Sequence, residues 1–213
     1  MGIVTSADCV IFAAGDEVDP AIVRSYIQPD TFIITADAGY SACTRCGFSP
    51  NLLVGDFDSQ AVPKTDTPTI TLNPIKDDTD TADALQQAIQ RGFRHIVLFG
   101  ATGGRLDHTY ANLDLCALAA GQGAELLIVD NHHKIFALKE ETVTIDGDKS
   151  KYVSVFAVGG PCVLSLEGFF YLLKDYNLMP FCGLGVSNET VEEKATISIK
   201  QGTALIFITD KDF

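Results

Sequence analysis

The sequence has no tryptophan, only two methionines, and far fewer basic than acidic side chains. Its 28 acidic and 15 basic residues give a formal net charge of −13 at pH 7. This charge argues against a general nucleic-acid or anionic-membrane surface and suits a soluble protein that recruits cations. Any phosphate group that the chain binds must therefore be held by local donors or by a metal ion.

The sequence also lacks an apolar run as long as a membrane span, and no basic segment precedes its first apolar segment. We therefore expect a cytoplasmic protein. Six cysteines in such a chain are expected to be reduced thiols rather than a disulfide framework. The one CxxC pair, Cys43 and Cys46, lies late in a helical-looking segment, which favours structural thiols over a zinc or redox site.

The first 130 residues alternate between strand-like and helix-like segments. Ala82, Leu85, Ala88 and Ile89 form one helical stripe within TADALQQAIQRGF, and DHTYANLDLCALAAG carries Leu115 and Leu118 at helical spacing. Short apolar segments that read as buried strands are DCVIFAAG, TFIITAD, NLLVGD, TPTITL, RHIVLFG and AELLIVD. This alternation predicts an α/β fold with a mainly parallel sheet and flanking helices.

From about residue 135 the helical signal disappears, and short alternating segments are separated by Gly-Asp or Gly-Gly turns. That pattern predicts a small all-β sandwich. We place the boundary near residues 131–140, with a nucleotide- and metal-binding α/β domain over residues 1–133 and the β-sandwich over residues 134–213. No low-complexity linker separates them, so we expect the two domains to be closely packed.

Acidic side chains cluster where the predicted parallel strands end. Ligands collect at this edge of such a sheet, and oxygen ligands suit Mg²⁺ bound together with phosphate. Asp80 could instead meet the dipole and amides of a helix that begins around Thr79. Within GDFDS, Asp56 and Asp58 alternate with Phe57 and so project to the same side of a strand. The acids concerned are Asp37, Asp56, Asp58, Asp77, Asp78 and Asp80.

A glycine-rich loop follows the strand RHIVLFG. Gly100, Gly103 and Gly104 permit a tight backbone with exposed amides ahead of a helix, an arrangement that can cradle an anion. Arg105 would add a bidentate phosphate donor, and His108 could contact a phosphate or lie in the capping region. The spacing is neither GxGxxG nor a Walker A motif, so a plain strand-to-helix turn is the alternative.

Taken in order, TADAGY, GDFDS, KDDTDTADAL and GATGGRLDHTYANL resemble the thiamine pyrophosphokinase family, and GLGVSNE at 183–189 resembles its signature near the thiamine site. The resemblance covers most of the chain. It implies transfer of the diphosphate of ATP to the hydroxyl of thiamine, giving thiamine diphosphate and AMP. It also implies an α/β catalytic domain, a β-sandwich, and a homodimer whose active site lies between the two subunits.

The resemblance further implies roles for individual residues. Family acids that hold magnesium and orient the triphosphate match Asp37, Asp56, Asp58 and Asp80. The nucleotide-facing loop matches Thr102, Arg105, Asp107 and His108. Lys76, Asp77 and Thr79 fall in the KDxTD motif beside the reacting phosphates. Ser187 and Asn188 match the thiamine pocket, although from the residues alone they indicate an ordinary turn.

The chain departs from the family pattern in two places. Many relatives carry a Glu two residues after the last Asp of the motif, where this chain has Ala82 followed by Asp83. Some relatives stack thiamine on a Trp, which is absent here. Stacking could fall to Phe169, Phe170 or Tyr171, although a sandwich core explains these aromatics equally well.

The implied reaction asks a protein mainly for alignment and charge neutralisation. Magnesium between Asp56, Asp58 and Asp80 would hold the phosphates, and Arg105 would neutralise charge on the transferred group or on AMP. The hydroxyl proton could pass to Asp80 or Asp77, and this role stays unassigned. The alternatives are diphosphate transfer to another heterocyclic alcohol, such as a hydroxymethylpterin, and a non-catalytic nucleotide or thiamine sensor.

Overall fold

A computed structural model describes residues 6–56, 65–73 and 78–212 of the chain. Its N-terminal half contains parallel strands in the spatial order β4-β3-β2-β1-β5-β6. In chain order they are β1 (Cys9–Phe12), β2 (Phe32–Ala36), β3 (Leu52–Gly55), β4 (Thr69–Thr71), β5 (His95–Phe99) and β6 (Glu125–Val129). Each lies within a segment whose composition predicts a strand, so the parallel sheet is confirmed.

Helices cover both faces of the parallel sheet: α1 (Pro20–Tyr26), α2 (Gly39–Arg45), α3 (Asp80–Gln90) and α4 (Leu106–Gly121). Successive residues of β1 divide between the two apolar cores, because side chains alternate along a strand. Val10 and Phe12 pack on the face that carries α1 and α2, whereas Cys9 and Ile11 pack on the face that carries α3 and α4. None of the helices among the described residues is long and apolar enough to span a membrane.

The helical stripe predicted within α3 is confirmed, since Ala82, Leu85, Ala88 and Ile89 are all buried. The stripe predicted for α4 is half wrong. Leu115 is buried, but Leu118 is 40% exposed because it lies on the outer side of the helix. All six cysteines are free thiols, as expected, and burial raises the pKa of Cys43 to about 12.

The C-terminal half is antiparallel, with β7 (His133–Lys139), β8 (Thr142–Asp146), β9 (Lys151–Glu167), β10 (Leu173–Leu178) and β11 (Lys194–Asp210). The first part of β11 pairs with β8 and the last part with β7, while β9 follows β11 along most of its length. Buried side chains of β7, β8, β9 and both parts of β11 belong to one apolar core, as a sandwich requires. Because β7 also pairs with β6, the sheet is continuous from one half of the chain to the other.

The Gly-Gly turn predicted at residues 159–160 is wrong, because β9 runs through it without a break. The register between β9 and β11 shifts at this point instead, which marks a β-bulge. Gly159 and Gly202 both adopt positive φ there, at 72° and 83°. Glycine pairs permit turns and bulges alike, and the composition of the segment does not separate the two.

We expect Gly202→Ala to lower the free energy of unfolding by about 1–3 kcal/mol, because an L-residue is strained at positive φ and its Cβ would lie 2.5 Å from the Pro161 carbonyl oxygen. Urea unfolding would measure the change. The control is Gly121→Ala at the end of α4, where a Cβ meets no atom within 4 Å among the described residues. Equal stabilities of the two variants would contradict the strain at the bulge.

Candidate active site

The order of the parallel strands reverses between β1 and β5. Strands β2, β3 and β4 follow one another on one side of β1, whereas β5 and β6 lie on its other side. Ligands of open α/β sheets bind at the carboxyl ends of the strands beside such a reversal. A cleft of about 480 Å³ opens at this point. It is lined by the loops that follow β1, β2, β3 and β5 and by the first turns of α3 and α4.

The loops after β1 and β5 are in direct contact. The Gly15 amide donates to the Gly100 carbonyl at 2.7 Å, and the Asp16 amide donates to the Thr102 carbonyl at 2.8 Å. A Cβ on Gly15 would lie 2.4 Å from both acceptor oxygens. The two loops can approach this closely only because residue 15 has no side chain.

The glycine-rich loop turns its carbonyl groups towards the protein. Besides the two bonds from the loop after β1, Asn112 Nδ2 donates to the Ala101 carbonyl at 2.8 Å, and Thr109 Oγ1 lies 3.4 Å from the Gly103 carbonyl. Gly103 and Gly104 adopt φ of 84° and 58°. Within the described part of the chain, their amides have no hydrogen-bond acceptor. Such amides beside a helix N-terminus suit an anion, as the glycine spacing predicts.

Acidic residues line the wall of the cleft that lies opposite the glycine-rich loop. Asp37 follows β2 with a φ of 46°, and its amide donates to the Val54 carbonyl at 2.9 Å. Asp56 follows β3, and Asp78 and Asp80 lie at the start of α3. The N-cap of α3 is Thr79, whose hydroxyl accepts from the Ala82 amide at 3.2 Å. Asp80 is therefore not required as the cap and lines the cleft.

Three predicted site residues, Asp58, Lys76 and Asp77, lie outside the described residues. Over residues 6–56, 65–73 and 78–212, no group of three His, Cys, Asp or Glu side chains is arranged to hold a metal ion. The three-acid magnesium site formed by Asp56, Asp58 and Asp80 stays a prediction for this reason. Two of its members do line one cleft.

Arg105 and Asp107 form a bidentate ion pair at the mouth of the cleft. The guanidinium donates from Nε at 3.1 Å and from Nη2 at 2.6 Å. This contact lowers the pKa of the Asp107 carboxyl to about 2 and raises the pKa of Arg105. Arg105 and His108 line the cleft, and both are exposed. A guanidinium has five N–H donors, so Arg105 can keep Asp107 as partner and still meet a phosphate.

The side chain of Thr102 is used differently from the rest of the loop. Its hydroxyl donates to Asp130 Oδ2 at 2.7 Å, and the residue lines a second, shallower cavity beside α4 rather than the acidic cleft. Thr102 therefore does not line the acidic cleft, and the nucleotide-facing role implied for it stays a prediction.

Ser187 and Asn188 form a strained turn against β9. Ser187 has a φ of 57°, its amide donates to Ser154 Oγ at 3.0 Å, and its side chain is exposed. Asn188 is buried, and its amide side chain bonds both the N–H and the C=O of Tyr171. Neither Ser187 nor Asn188 lines the acidic cleft of the same chain.

Of the three aromatics proposed for stacking, Phe169 is a core residue with 2% exposure. Phe170 and Tyr171 are each about two thirds exposed and pack edge to face, with ring centroids 4.9 Å apart. Of these three rings, Phe170 and Tyr171 are therefore the ones accessible to a ligand.

Two family models match the chain: the catalytic domain of thiamin pyrophosphokinase over residues 23–128, and its vitamin B1 binding domain over residues 132–204. The chain belongs to the thiamine pyrophosphokinase family. It is 29% identical over 199 residues to the thiamine pyrophosphokinase of Bacillus subtilis (strain 168), covering 89% of this chain and 92% of the relative. Family membership makes the chain an enzyme that forms thiamine diphosphate by diphosphate transfer from ATP.

Solved structures agree with this assignment. The crystal structure of thiamine pyrophosphokinase from Bacillus subtilis superposes with a TM-score of 0.84 at 25% identity, over 96% of this chain and 99% of that one. The structure from Geobacillus thermodenitrificans gives a TM-score of 0.83 at 28% identity, over 96% and 98% of the two chains. The predicted fold class, an α/β catalytic half followed by a β half, is confirmed.

Sequence reasoning missed three residues of this region: Asp16, Asn112 and Asp130. Asp16 and Asp130 directly follow predicted strand segments, in AAGD and LLIVD, which is the same signal that identified Asp37. Asn112 carried no signal, because one polar residue within a helix has many possible roles. Its contact with the Ala101 carbonyl appears only once the loop and α4 are folded together.

We expect Gly15→Ala to reduce thiamine diphosphate formation at least tenfold by raising the KM for ATP, since the added methyl must push the two loops apart. Steady-state kinetics with varied ATP would measure this change. Circular dichroism and the melting temperature of the variant would test whether it still folds. Gly121→Ala is again the control, and an unchanged KM in a folded Gly15→Ala protein would contradict the role of the close contact.

Proposed function

We propose that this chain transfers the diphosphate of ATP to the hydroxyl of thiamine at the acidic cleft, with Mg²⁺, as a homodimer. The observation that carries the proposal is the cleft itself, where carboxylates and a glycine-rich loop face each other at the reversal of strand order. Residues 1–133 would form the nucleotide- and metal-binding domain. Residues 134–213 would form the domain for thiamine binding and dimerisation.

The glycine-rich loop and its flanking residues would bind the triphosphate. The amides of Gly103 and Gly104 supply neutral donors, and Arg105 supplies a positive charge beside them. His108 lines the cleft from the first turn of α4 and can donate to a phosphate oxygen. Asp107 would orient Arg105 through the bidentate contact rather than meet the nucleotide itself.

The charge of the cleft supports a role for a divalent cation. Asp16, Asp37, Asp56 and Asp80 line it, whereas the one arginine among its described lining residues is already paired with Asp107. An ATP molecule would meet strong repulsion there without added positive charge. Asp56 and Asp80, with Asp58 and Asp37, are the carboxylates that would hold Mg²⁺, which when bound neutralises phosphate charge and makes the phosphorus more electrophilic.

The chain's own contribution to the chemistry is alignment. The loop fixes the phosphates, and the motif that contains Lys76, Asp77 and Thr79 would place the thiamine hydroxyl in line with the β-phosphorus. A carboxylate near that hydroxyl, Asp80 or Asp77, would accept its proton. The transfer is direct, with the hydroxyl oxygen forming the new bond to the β-phosphorus as the bond to AMP breaks.

The β half would provide the thiamine site across a dimer interface. Ser187 and Asn188 do not line the acidic cleft of their own chain, which is what a site shared between subunits requires. Large apolar side chains are exposed on this half, as expected of an interface core: Phe170, Tyr171, Leu172, Met179, Phe181 and Leu184. Phe170 or Tyr171 would stack on the thiamine ring in place of tryptophan.

Transfer to a hydroxymethylpterin and a non-catalytic sensor are less well supported. The match to a vitamin B1 binding domain over residues 132–204 favours thiamine over a pterin. A sensor would not need the acidic wall of the cleft opposite the phosphate loop.

A product assay tests the reaction. Purified protein incubated with thiamine, ATP and Mg²⁺ should give thiamine diphosphate and AMP in equal amounts, resolved by chromatography. Asp56→Asn should lower the rate at least a hundredfold because it removes a carboxylate from the proposed metal site, while Asp114→Asn on the exposed side of α4 should not. Formation of ADP, or no product that depends on thiamine, would rule the proposal out.

Mixing two inactive variants tests the shared site. Asp56→Asn damages the acidic cleft, and Ser187→Trp blocks the β half with an exposed bulky side chain. If the site lies between subunits, co-expression should restore about a quarter of wild-type activity, since half of the dimers are mixed and one of their two sites is intact. No recovery, with a dimer seen by gel filtration, would mean that each chain holds a complete site.

A further inference from the structure

The turn between β6 and β7, residues 130–133, is organised by one carboxylate. Asp130 Oδ1 accepts from the amides of His132 and His133 at 2.8 and 2.7 Å, and the His133 ring lies 2.9 Å from the same oxygen. The Asp130 amide closes the turn on the His133 carbonyl at 3.1 Å. The His133 ring also lies 3.0 Å from Oδ2, the carboxylate oxygen that contacts the glycine-rich loop.

Asp130 Oδ2 accepts the hydroxyl of Thr102 at 2.7 Å. Between β5 and Arg105 the loop reads Gly-Ala-Thr-Gly-Gly, so Thr102 carries its one polar side chain. Glycine loses more conformational entropy than any other residue when the chain becomes ordered, and this loop contains three glycines. The Thr102 hydroxyl is therefore the one side-chain anchor within the loop itself.

The same turn also holds the segment after β1. Asn131 Oδ1 accepts from the Asp19 amide at 2.8 Å, and Asn131 Nδ2 donates to the Glu17 carbonyl at 3.0 Å. Asp130 and Asn131 are adjacent in this turn. They contact the glycine-rich loop after β5 and the segment after β1, which meet at the reversal of strand order. Neither contact is local in sequence, because more than 25 residues separate the partners in each.

Residues of the C-terminal half hold this turn in place. The Asp210 amide at the end of β11 donates to the His132 carbonyl at 3.0 Å, and Thr209 pairs with His133 in the sheet. Asp210 also forms an ion pair with Lys151 at the start of β9. The position of the turn therefore depends on strands of the β half.

We propose that Asp130 and Asn131 are positioning residues, which hold the two loops of the phosphate cleft in register with the β half of the chain. Asp130 acts through the Thr102 hydroxyl, and Asn131 acts through the backbone of residues 17 and 19. This inference rests on the proposed function for its kinetic consequence, but the contacts it concerns exist without substrate.

The electrostatics of Asp130 agree with a structural anchor that stays charged. Its side chain is 13% exposed, and burial opposes its ionisation. The amide of His132, the Thr102 hydroxyl and the His133 ring outweigh that cost, so the pKa of the carboxyl lies below its ordinary value. Loss of the Thr102 hydroxyl would leave a largely buried charge short of one donor.

The test compares Thr102→Val, which keeps the shape but removes the donor, with Thr102→Ser, which keeps the donor. We expect Thr102→Val to raise the KM for ATP about tenfold with little change in kcat, and Thr102→Ser to stay within about twofold of wild type. Asp130→Asn should raise KM by a similar factor, and the double variant should be no worse than the singles because both changes break one contact. Thr144→Val is the control, since its hydroxyl pairs with Thr196 on β8 and β11, away from the cleft.

A second measurement does not depend on activity. Hydrogen exchange of the peptide covering residues 13–18 without ATP should speed up in Thr102→Val and Asp130→Asn, because the amides of Gly15 and Asp16 donate to carbonyls of the anchored loop. A higher KM in Thr102→Val alone, with unchanged exchange, would mean that the hydroxyl contacts ATP directly and would overturn the proposal. If wild-type protein made no thiamine diphosphate, the proposed function would fail while the exchange result still decided the anchor.

Discussion

The contact between the loops after β1 and β5 is the constraint on which the cleft depends. Gly15 and Gly100 meet backbone to backbone, at a distance that no side chain at position 15 permits. That contact directs the carbonyl groups of the glycine-rich loop inwards. As a consequence, the amides of Gly103 and Gly104 in this loop are available to an anion. The parallel sheet supplies the contact, because the order of its strands reverses between β1 and β5 and brings two distant parts of the sequence side by side.

The net negative charge of the protein affects how the cleft can bind a nucleotide. A net charge of −13 alone would repel ATP, and the carboxylates of the cleft strengthen that repulsion locally. The single positive charge of Arg105 does not balance these carboxylates, since Asp107 already offsets it. The Mg²⁺ proposed above would remove this conflict by binding together with the nucleotide. The same acids would then favour a metal-bound nucleotide over free ATP, which would make the charge a source of specificity.

Most of the fold was predictable from the sequence because its signals are local. Strands such as β5 are continuous apolar runs, and the stripe of α3 follows helical spacing. The bulge at Gly159 was not predictable, since glycines permit a turn as readily as a bulge. In the site, Asp37, Asp56 and Asp80 were identified because an acid after a parallel strand or at a helix start is a local pattern. The partner of Thr102 depends on a contact over 28 residues, which no local pattern encodes.

The exposed aromatic segment of the β half is held more firmly than its exposure suggests. Asn188 is 5% exposed, and its side chain bonds both backbone groups of Tyr171. The Phe170 amide donates to the Glu189 carbonyl at 2.8 Å, so the segment is also fixed through the main chain. A buried amide that both accepts from and donates to the backbone of Tyr171 helps to give the two exposed rings a defined position. Pre-ordering lowers the entropic cost of binding, so this surface is better suited to recognising a ring or a second subunit than a loop that must order first.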